Sequence, residues 1–96
     1  MAVAQDTGRA HVWIAGNVQN VNFRSATRDE AKRVGVHGWV KNLPDGRVEA
    51  VFEGNRAAVQ RMVSWCYSGP THATVDAVEV TWEEATNHEG PFSIAW

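Results

Sequence analysis

The sequence predicts one small α/β (α+β) domain whose elements follow the order β-α-β-β-α-β, with an extra short strand at the C-terminal end. Three observations support this prediction. Two segments repeat apolar residues at helical spacing, and each is followed by a glycine, Gly35 or Gly69, as is typical of helix ends. Residues 74–82 alternate apolar and polar side chains, as a strand with one buried face does. Residues 43–46, Leu-Pro-Asp-Gly, have the composition of a tight turn between two strands.

The first strand and the first helix come from the N-terminal third of the chain. Residues 8–15 are predicted to form the strand, with Val12 and Ile14 on one face. The helix is predicted over residues 25–34, with Phe23 packed beneath its first turn. Its inward stripe is expected to follow the helical period loosely and to consist of Ala26, Glu30, Ala31 and Val34.

A hairpin, a second helix and two further strands complete the pattern. Residues 36–42 and 48–53 flank the turn, so they are expected to pair as antiparallel strands. Asn55 is a good N-cap for the second helix. The inward stripe of that helix is expected to contain Val59, Met62, Val63 and Cys66. Residues 74–82 form the next strand, and residues 92–96 form the last, short one.

These elements fit a ferredoxin-like sandwich. Two β-α-β halves with right-handed crossovers give an antiparallel sheet with both helices on one face. In such a sheet the third strand lies between the first and the second. We expect residues 1–8 to form a flexible N-terminus and residues 9–96 to form a single domain.

The composition argues against several functional classes. The chain has 9 Lys and Arg against 11 Asp and Glu and a formal charge of −2, which disfavours nucleic-acid binding through counterion release. Cys66 is the single cysteine, so no intramolecular disulfide can form, and its apolar surroundings indicate a buried, inert thiol. No segment is long and apolar enough to span a membrane, and residues 1–8 lack the features of a signal peptide. Since no apolar surface demands a partner, we expect a cytoplasmic monomer.

Residues 16–24 are the strongest indication of function. This loop is rich in Gly and Asn, follows an apolar strand and precedes a helix whose start carries Arg24. The N–H groups of such a loop and the helix dipole point toward one place, over which a guanidinium can close. The pattern therefore predicts a phosphate site. Because the whole chain is slightly acidic, this site must be built locally.

Asn42 is a second candidate, because it ends the second strand at the hairpin turn. If the third strand lies between the first and the second, this turn lies near the 16–24 loop, and the Asn42 side chain can reach an anion held there. An uncharged amide can hydrogen-bond a water molecule without adding negative charge beside a phosphate, whereas a carboxylate would repel the substrate. Taken alone, an Asn before a turn is more often a turn-forming residue.

Two motifs in the chain resemble those of the acylphosphatase family. The family pattern G-R-V-Q-G-V-x-F-R is matched at Gly16, Val18, Gln19, Val21, Phe23 and Arg24. A second pattern, G-W-V-x-N-x-x-D-G-x-V-E, is matched in full by Gly38, Trp39, Val40, Asn42, Asp45, Gly46, Val48 and Glu49. Two motifs at the right separation are more specific than a lone Gly-rich loop, and the resemblance covers residues 9–96.

The resemblance implies a small stand-alone hydrolase that cleaves the carboxyl–phosphate bond of small-molecule acyl phosphates without a metal or a cofactor. It implies that Arg24 binds the phosphoryl group through its guanidinium fork and that Asn42 orients the attacking water. Gln19 is expected to act mainly as loop scaffolding. The phosphate-binding loop is then formed by Arg24 and by the backbone amides of Asn17, Val18, Gln19, Asn20, Val21, Asn22 and Phe23.

The loop departs from the family pattern at two positions. Asn17 stands where the family has Arg, and Asn20 stands where it has Gly. Asn tolerates the left-handed backbone region better than other non-glycine residues do, so Asn20 can preserve the turn. The missing cation at Asn17 removes positive field near the anion. We expect activity to be retained with weaker phosphate affinity.

Other interpretations remain open at this point. The same loop, hindered by Asn20, could be a binding module that holds phosphate or acyl phosphate with weak or no turnover. An RNA-recognition domain shares the element order, but the third strand at 48–53 is acidic. The chain could also be a part of a larger maturation enzyme that acts on carbamoyl phosphate. The four His residues lack metal-ligand spacing and Ser25 has no His and Asp pattern around it, so no metal site and no nucleophilic triad are predicted.

Overall fold

The helices and strands occur in the predicted order. The computed structural model describes residues 6–87 and 90–95. Its elements are β1 (Thr7–Asn17), α1 (Phe23–Val34), β2 (His37–Asn42), β3 (Val48–Asn55), α2 (Arg56–Cys66), β4 (Thr74–Glu83) and β5 (Ser93–Ile94). This confirms the β-α-β-β-α-β order with a short fifth strand.

The two ends of the chain differ in detail from the prediction. β1 begins at Thr7, one residue before the predicted start at Gly8, so the last part of the predicted flexible segment pairs with the end of β3. Residues 1–5 of the predicted flexible segment lie outside the described residues. At the other end, β5 is shorter than the predicted strand over residues 92–96, whose last position also lies outside the described residues.

The sheet has the strand order β4-β1-β3-β2-β5. Neighbouring strands from β4 to β2 pair antiparallel, and β3 lies between β1 and β2 as predicted. β5 pairs parallel with β2, with Trp39 opposite Ser93 and Val40 opposite Ile94. The complete sheet is therefore mixed, because the chain crosses from one edge to the other before forming β5. Its four-stranded part has the predicted ferredoxin-like arrangement.

Both helices pack on one face of the sheet and form the core with it. Val12 and Ile14 of β1 are fully buried, as predicted. The same cluster contains Ala10, Val40, Val48, Ala50, Phe52, Val59, Met62, Cys66 and Phe92. Each large apolar side chain in this cluster contributes about 1.5–3 kcal/mol of transfer free energy. The core thereby fixes both helices relative to the loops at the strand ends.

The inward face of α1 differs from the predicted stripe. Its buried residues are Phe23, Thr27 and Ala31. Three of the residues predicted there are only partly buried: Ala26, Glu30 and Val34. The helix begins at Phe23, two residues earlier than predicted, and residues four apart from Phe23 face the core. Thr27 fits this apolar face because its hydroxyl donates a 2.7 Å hydrogen bond to the Phe23 carbonyl oxygen.

The second helix follows its prediction closely. Oδ1 of Asn55 accepts hydrogen bonds from the backbone N–H groups of Ala57 and Ala58, at 3.0 and 3.4 Å, so Asn55 is the N-cap. The predicted stripe is buried at Val59, Met62 and Cys66 and partly buried at Val63. Burial raises the pKa of the Cys66 thiol to about 12, so the thiol stays protonated and unreactive. Neither helix within the described residues is long and apolar enough to cross a membrane.

The sheet face away from the helices, here called the open face, carries an ion-pair network. Arg9 donates hydrogen bonds to Glu53 at 2.8 Å and to Glu83 at 2.9 Å. The two ring nitrogens of His11 contact Glu83 and Glu49. These groups link β1 to β3 and β4, and the ion pairs of Arg9 lie at the end of the sheet opposite the 16–24 loop.

Aromatic rings also lie on the open face, among acidic residues. The Trp13 ring stacks on His11 with a centroid distance of 4.1 Å, and the Lys41 ammonium lies 5.5 Å from the centre of the Trp39 ring. The strand register places four glutamates on the same face: Glu49, Glu53, Glu79 and Glu83. An RNA-recognition sheet combines exposed aromatics with a basic surface, so this acidic face disfavours that alternative.

Candidate active site

The loop that carries the first motif begins next to an irregularity in the pairing of β1 with β4. The register between β1 and β4 shifts between Ala15 and Gly16. Gly16 has φ 135°, and a Cβ at this position would lie 2.2 Å from the carbonyl oxygen of Thr74. Only glycine fits this close approach of two backbones. Gly16 thus permits the shift in register, after which Asn17 still pairs with Thr74 before the chain leaves the sheet toward α1.

Two left-handed asparagines shape the loop itself. Asn20 has φ 63° and Asn22 has φ 64°. The left-handed conformation expected of Asn20 is therefore confirmed, and Asn22 adopts it as well, which sequence reasoning missed. Left-handed residues that alternate with residues of negative φ form concave backbone whose N–H groups converge, the pattern of an anion nest.

Both ends of the loop are anchored in the core. Val18 is 1% exposed and Phe23 is 2% exposed. The Phe23 ring packs against Trp65 of α2 with a centroid distance of 5.5 Å. A Cβ on Gly69 would lie 2.6 Å from Cε2 of Phe23, so Gly69 packs directly on the ring. Since the side chains of Val18 and Phe23 are buried, these residues can offer only backbone groups to a ligand. Trp65 and Gly69 were not anticipated as supports of the loop.

Three asparagines of the loop are exposed instead: Asn17, Asn20 and Asn22. Asn22 is the N-cap of α1, yet its side chain makes no capping hydrogen bond. The first N–H groups of a helix have no acceptor within the helix, so those of α1 are available to an anion. The loop thus presents exposed amides and helix N–H groups between two buried anchors.

Arg24 is the second residue of α1 and is partly buried. The first turn of α1 contains no acidic residue. A cation at a helix N-terminus is unfavourable for the helix dipole, whereas an anion bound there interacts favourably with both the dipole and the guanidinium. The position of Arg24 is therefore suited to a phosphate.

Asn42 is the last residue of β2, at the same end of the sheet as the loop. It pairs with Val48 of β3, and Val48 pairs with Ile14 of β1. These three residues form one row across the sheet, so Asn42 lies about 10 Å from Ile14 by strand spacing. Oδ1 of Asn42 is buried and has no hydrogen-bond partner among the residues that the structure describes.

Gln19 joins the loop to the hairpin that follows Asn42. Its Nε2 donates hydrogen bonds to the carbonyl oxygens of Leu43 and Arg47, at 2.8 and 3.0 Å. The scaffolding role expected of the Gln19 side chain thus agrees with these contacts, while its backbone N–H remains a predicted phosphate ligand. Sequence patterns gave no indication of which atoms Gln19 would contact.

Comparisons with known proteins agree with this geometry. A family model described as "Acylphosphatase" matches residues 10–94. The chain belongs to the acylphosphatase family. An acylphosphatase of Roseiflexus sp. is 66% identical over 95% of this chain and 98% of its own length. An acylphosphatase of Chloroflexus aurantiacus is 63% identical, with 95% and 99% covered.

A solved structure supports the same assignment. The structure of an acylphosphatase from Coxiella burnetii superimposes with a TM-score of 0.91 at 31% identity, and the match covers 99% of this chain and all of that one. The ferredoxin-like fold predicted from sequence is therefore shared with acylphosphatases. Membership of the family makes this chain an enzyme.

Proposed function

We propose that this acylphosphatase hydrolyses the carboxyl–phosphate bond of small-molecule acyl phosphates, with Arg24 and the loop amides holding phosphate and Asn42 orienting water. The observation that carries the proposal is the buried Oδ1 of Asn42, which has no partner within the described residues. A buried acceptor without a donor costs about 1–3 kcal/mol. This unpaired acceptor lies at the same end of the sheet as the phosphate-binding loop and Arg24, here called the phosphate cradle, and it is explained if the attacking water donates a hydrogen bond to it.

In the proposed reaction, the water held by Asn42 attacks phosphorus in line with the bond to the acyl oxygen. A new P–O bond forms while the bond to the acyl oxygen breaks, and the carboxylate leaves with the electron pair of that bond. Both protons of the water end on inorganic phosphate. Charge on the equatorial oxygens is stabilised by the Arg24 guanidinium and by the N–H groups of the loop and the helix.

This chemistry needs neither a metal nor a cofactor in our proposal. A carboxylate is a weakly basic leaving group, so no general acid has to protonate it. The uncharged Asn42 does not repel the substrate phosphate. Positioning and charge stabilisation can then supply most of the rate effect, because the acyl phosphate is already activated.

We also propose that Asn17 and Asn20 permit turnover while weakening phosphate binding. The left-handed conformation of Asn20 preserves the loop shape without a glycine. Asn17 lacks the positive charge found in the family pattern, which at an exposed position changes the free energy of binding by about 1 kcal/mol or less.

We propose further that the enzyme is a cytoplasmic monomer. The buried Cys66 thiol needs no disulfide partner, which suits a reducing compartment. On the open face, Arg9 pairs with Glu53 and Glu83 within the same chain, so these charges require no second subunit. Light scattering coupled to size-exclusion chromatography tests the oligomeric state.

Steady-state hydrolysis of benzoyl phosphate tests the main proposal. The wild-type enzyme is expected to exceed the uncatalysed rate, and Arg24→Ala and Asn42→Ala are each expected to lower kcat/KM by about a hundredfold or more. Phosphate binding by a wild-type chain whose rate equals the uncatalysed rate would favour the binding module instead.

A further inference from the structure

Gln19 connects two parts of the site that the sheet keeps apart. β1 and β2 are not neighbours, because β3 lies between them. The loop after β1 therefore has to cross the start of β3 to reach the turn after Asn42. The Gln19 amide spans this gap and reaches two backbone carbonyl oxygens of the turn, those of Leu43 and Arg47.

We propose that Gln19 is a positioning residue that sets the place of Asn42 relative to the phosphate cradle. This inference rests on the proposed function, since it assigns the residue that aligns its two halves. Gln19 acts through Asn42: the cradle is built from backbone groups and Arg24, and the Gln19 side chain is turned toward the hairpin.

Hydrogen bonds within the hairpin hold its turn together, so that a contact with its carbonyl oxygens positions the whole turn. The Leu43 N–H donates to the Arg47 carbonyl at 2.8 Å, and the Gly46 N–H donates to the Leu43 carbonyl at 3.1 Å. Each of these two carbonyls thus accepts one bond from the turn and one from Gln19. The Asp45 carboxylate also accepts from the Arg47 backbone N–H at 3.0 Å. Such a closed unit moves as one body, and Asn42 is the residue directly before it.

The amide chemistry of Gln19 is specific to this contact. One NH₂ group supplies two donors, and both acceptors are carbonyl oxygens. A Glu at this position would offer no donor at neutral pH and would place a carboxylate against two carbonyl oxygens. A Leu would keep the bulk and lose both bonds. Both substitutions are therefore expected to release the turn from the loop.

The expected signature is a loss in kcat that leaves phosphate binding almost unchanged. For Gln19→Leu and Gln19→Glu we expect kcat on benzoyl phosphate to fall about ten- to hundredfold, since a small misplacement of a reacting group costs this much. The inhibition constant of inorganic phosphate should change by less than about threefold, because Arg24 and the loop backbone remain. Gln60→Leu makes the same change at an exposed position of α2 and serves as the control, with kcat unchanged.

A double-mutant cycle separates positioning from a general structural role. In the Asn42→Ala background, Gln19→Leu should lower kcat by less than about twofold, because the group that it positions is gone. An undiminished Gln19→Leu effect in that background, or a parallel rise of the phosphate inhibition constant, would overturn the inference. The NMR signals of the Asn42 side-chain amide should also shift in Gln19→Leu and not in Gln60→Leu; unshifted signals contradict the inference as well.

The proposed function has its own, separate test within this experiment. If the wild-type enzyme does not exceed the uncatalysed rate, the proposed function fails and the inference fails with it. If the wild type turns over and Asn42→Ala is impaired while Gln19→Leu is not, the proposed function stands and only the role of Gln19 is overturned.

Discussion

Two buried polar groups at opposite ends of the same sheet show how this molecule separates activity from stability. Glu53 is 2% exposed, and its carboxylate accepts hydrogen bonds from Arg9 and from Thr86. Asn42 lies about 17 Å away by strand rise, and its buried Oδ1 has no partner within the described residues.

The difference follows from what each group must do. The Glu53 carboxylate attaches the segment after β4 to the open face, and Asn87 donates a further 2.8 Å hydrogen bond to it. A fully satisfied carboxylate of this kind contributes to a unique fold. The unsatisfied Oδ1 of Asn42 lowers stability unless a ligand donates a hydrogen bond to it. We therefore expect substitutions at the Glu53 end to affect unfolding and those at the Asn42 end to affect turnover.

The largest effect on stability is expected from Glu53→Ala. It leaves the Arg9 guanidinium without its most buried partner and removes the acceptor of two backbone N–H groups, so the free energy of unfolding should fall by about 3 kcal/mol. Urea unfolding measures this loss, and Glu79→Ala on the exposed strand β4 is the control. If the two variants have comparable free energies of unfolding, Glu53 contributes no more to stability than an exposed glutamate, and the contrast between the Glu53 end and the Asn42 end fails.

Gly69→Ala is expected to have the next largest effect, and it should affect both stability and the phosphate site. The new Cβ would meet the Phe23 ring at 2.6 Å, so it should destabilise the fold and shift the phosphate loop. Gly35→Ala is the matched control: Gly35 also has positive φ, but nothing lies within 4 Å of the added Cβ. We expect Gly69→Ala to lose about 1–3 kcal/mol more than Gly35→Ala and to raise the phosphate inhibition constant. Equal behaviour of the two variants argues against the loop support by Gly69.

Acid should destabilise the wild-type protein through protonation of Glu53, and a variant without that carboxylate should lose less stability. Burial alone would raise the pKa of Glu53, but hydrogen bonds led by that from Arg9 outweigh it and hold the pKa below its ordinary 4.5. A depressed folded pKa contributes stability that is present above the unfolded pKa and is lost as pH falls through the folded one. Wild type should therefore lose stability as pH falls below about 4.5. Urea titrations at several pH values should show a shallower loss for Glu53→Gln, and identical slopes would contradict this assignment.

The smallest effect is expected from Asn20→Gly. Glycine adopts φ 63° without strain, and the exposed Asn20 side chain is removed from the mouth of the cradle. We expect the phosphate inhibition constant to fall by about two- to fivefold with kcat nearly unchanged, an effect of at most about 1 kcal/mol. An unchanged or weaker phosphate affinity would show that Asn20 does not hinder binding.

Much of the fold could be predicted because its signals are local. The Asn55 cap, the turn at residues 43–46 and the alternation of β4 each depend on neighbouring residues. The stripe of α1 was misplaced because the helix starts at Phe23, where the left-handed Asn22 gives no side-chain cap to mark it. The parallel pairing of β5 depends on a crossover that no local pattern records.

The candidate site shows the same limit. Residue types and motif spacing were sufficient to select Arg24 and Asn42 as candidates. The contacts that hold the site join residues far apart in the chain, such as Gln19 with Leu43 and Phe23 with Gly69. No periodicity reports such contacts, so the roles of Gln19 and Gly69 required the structure.

Asn42→Ala, measured for both turnover and unfolding, tests the central claim most directly. Because the Oδ1 of Asn42 is buried without a hydrogen-bond partner within the described residues, its removal should leave the free energy of unfolding unchanged or raise it by up to about 3 kcal/mol. On benzoyl phosphate, kcat should fall about a hundredfold or more, because the attacking water is no longer oriented. A variant that unfolds far more easily while retaining wild-type kcat would contradict the account, since Asn42 would then serve the fold and not the reaction.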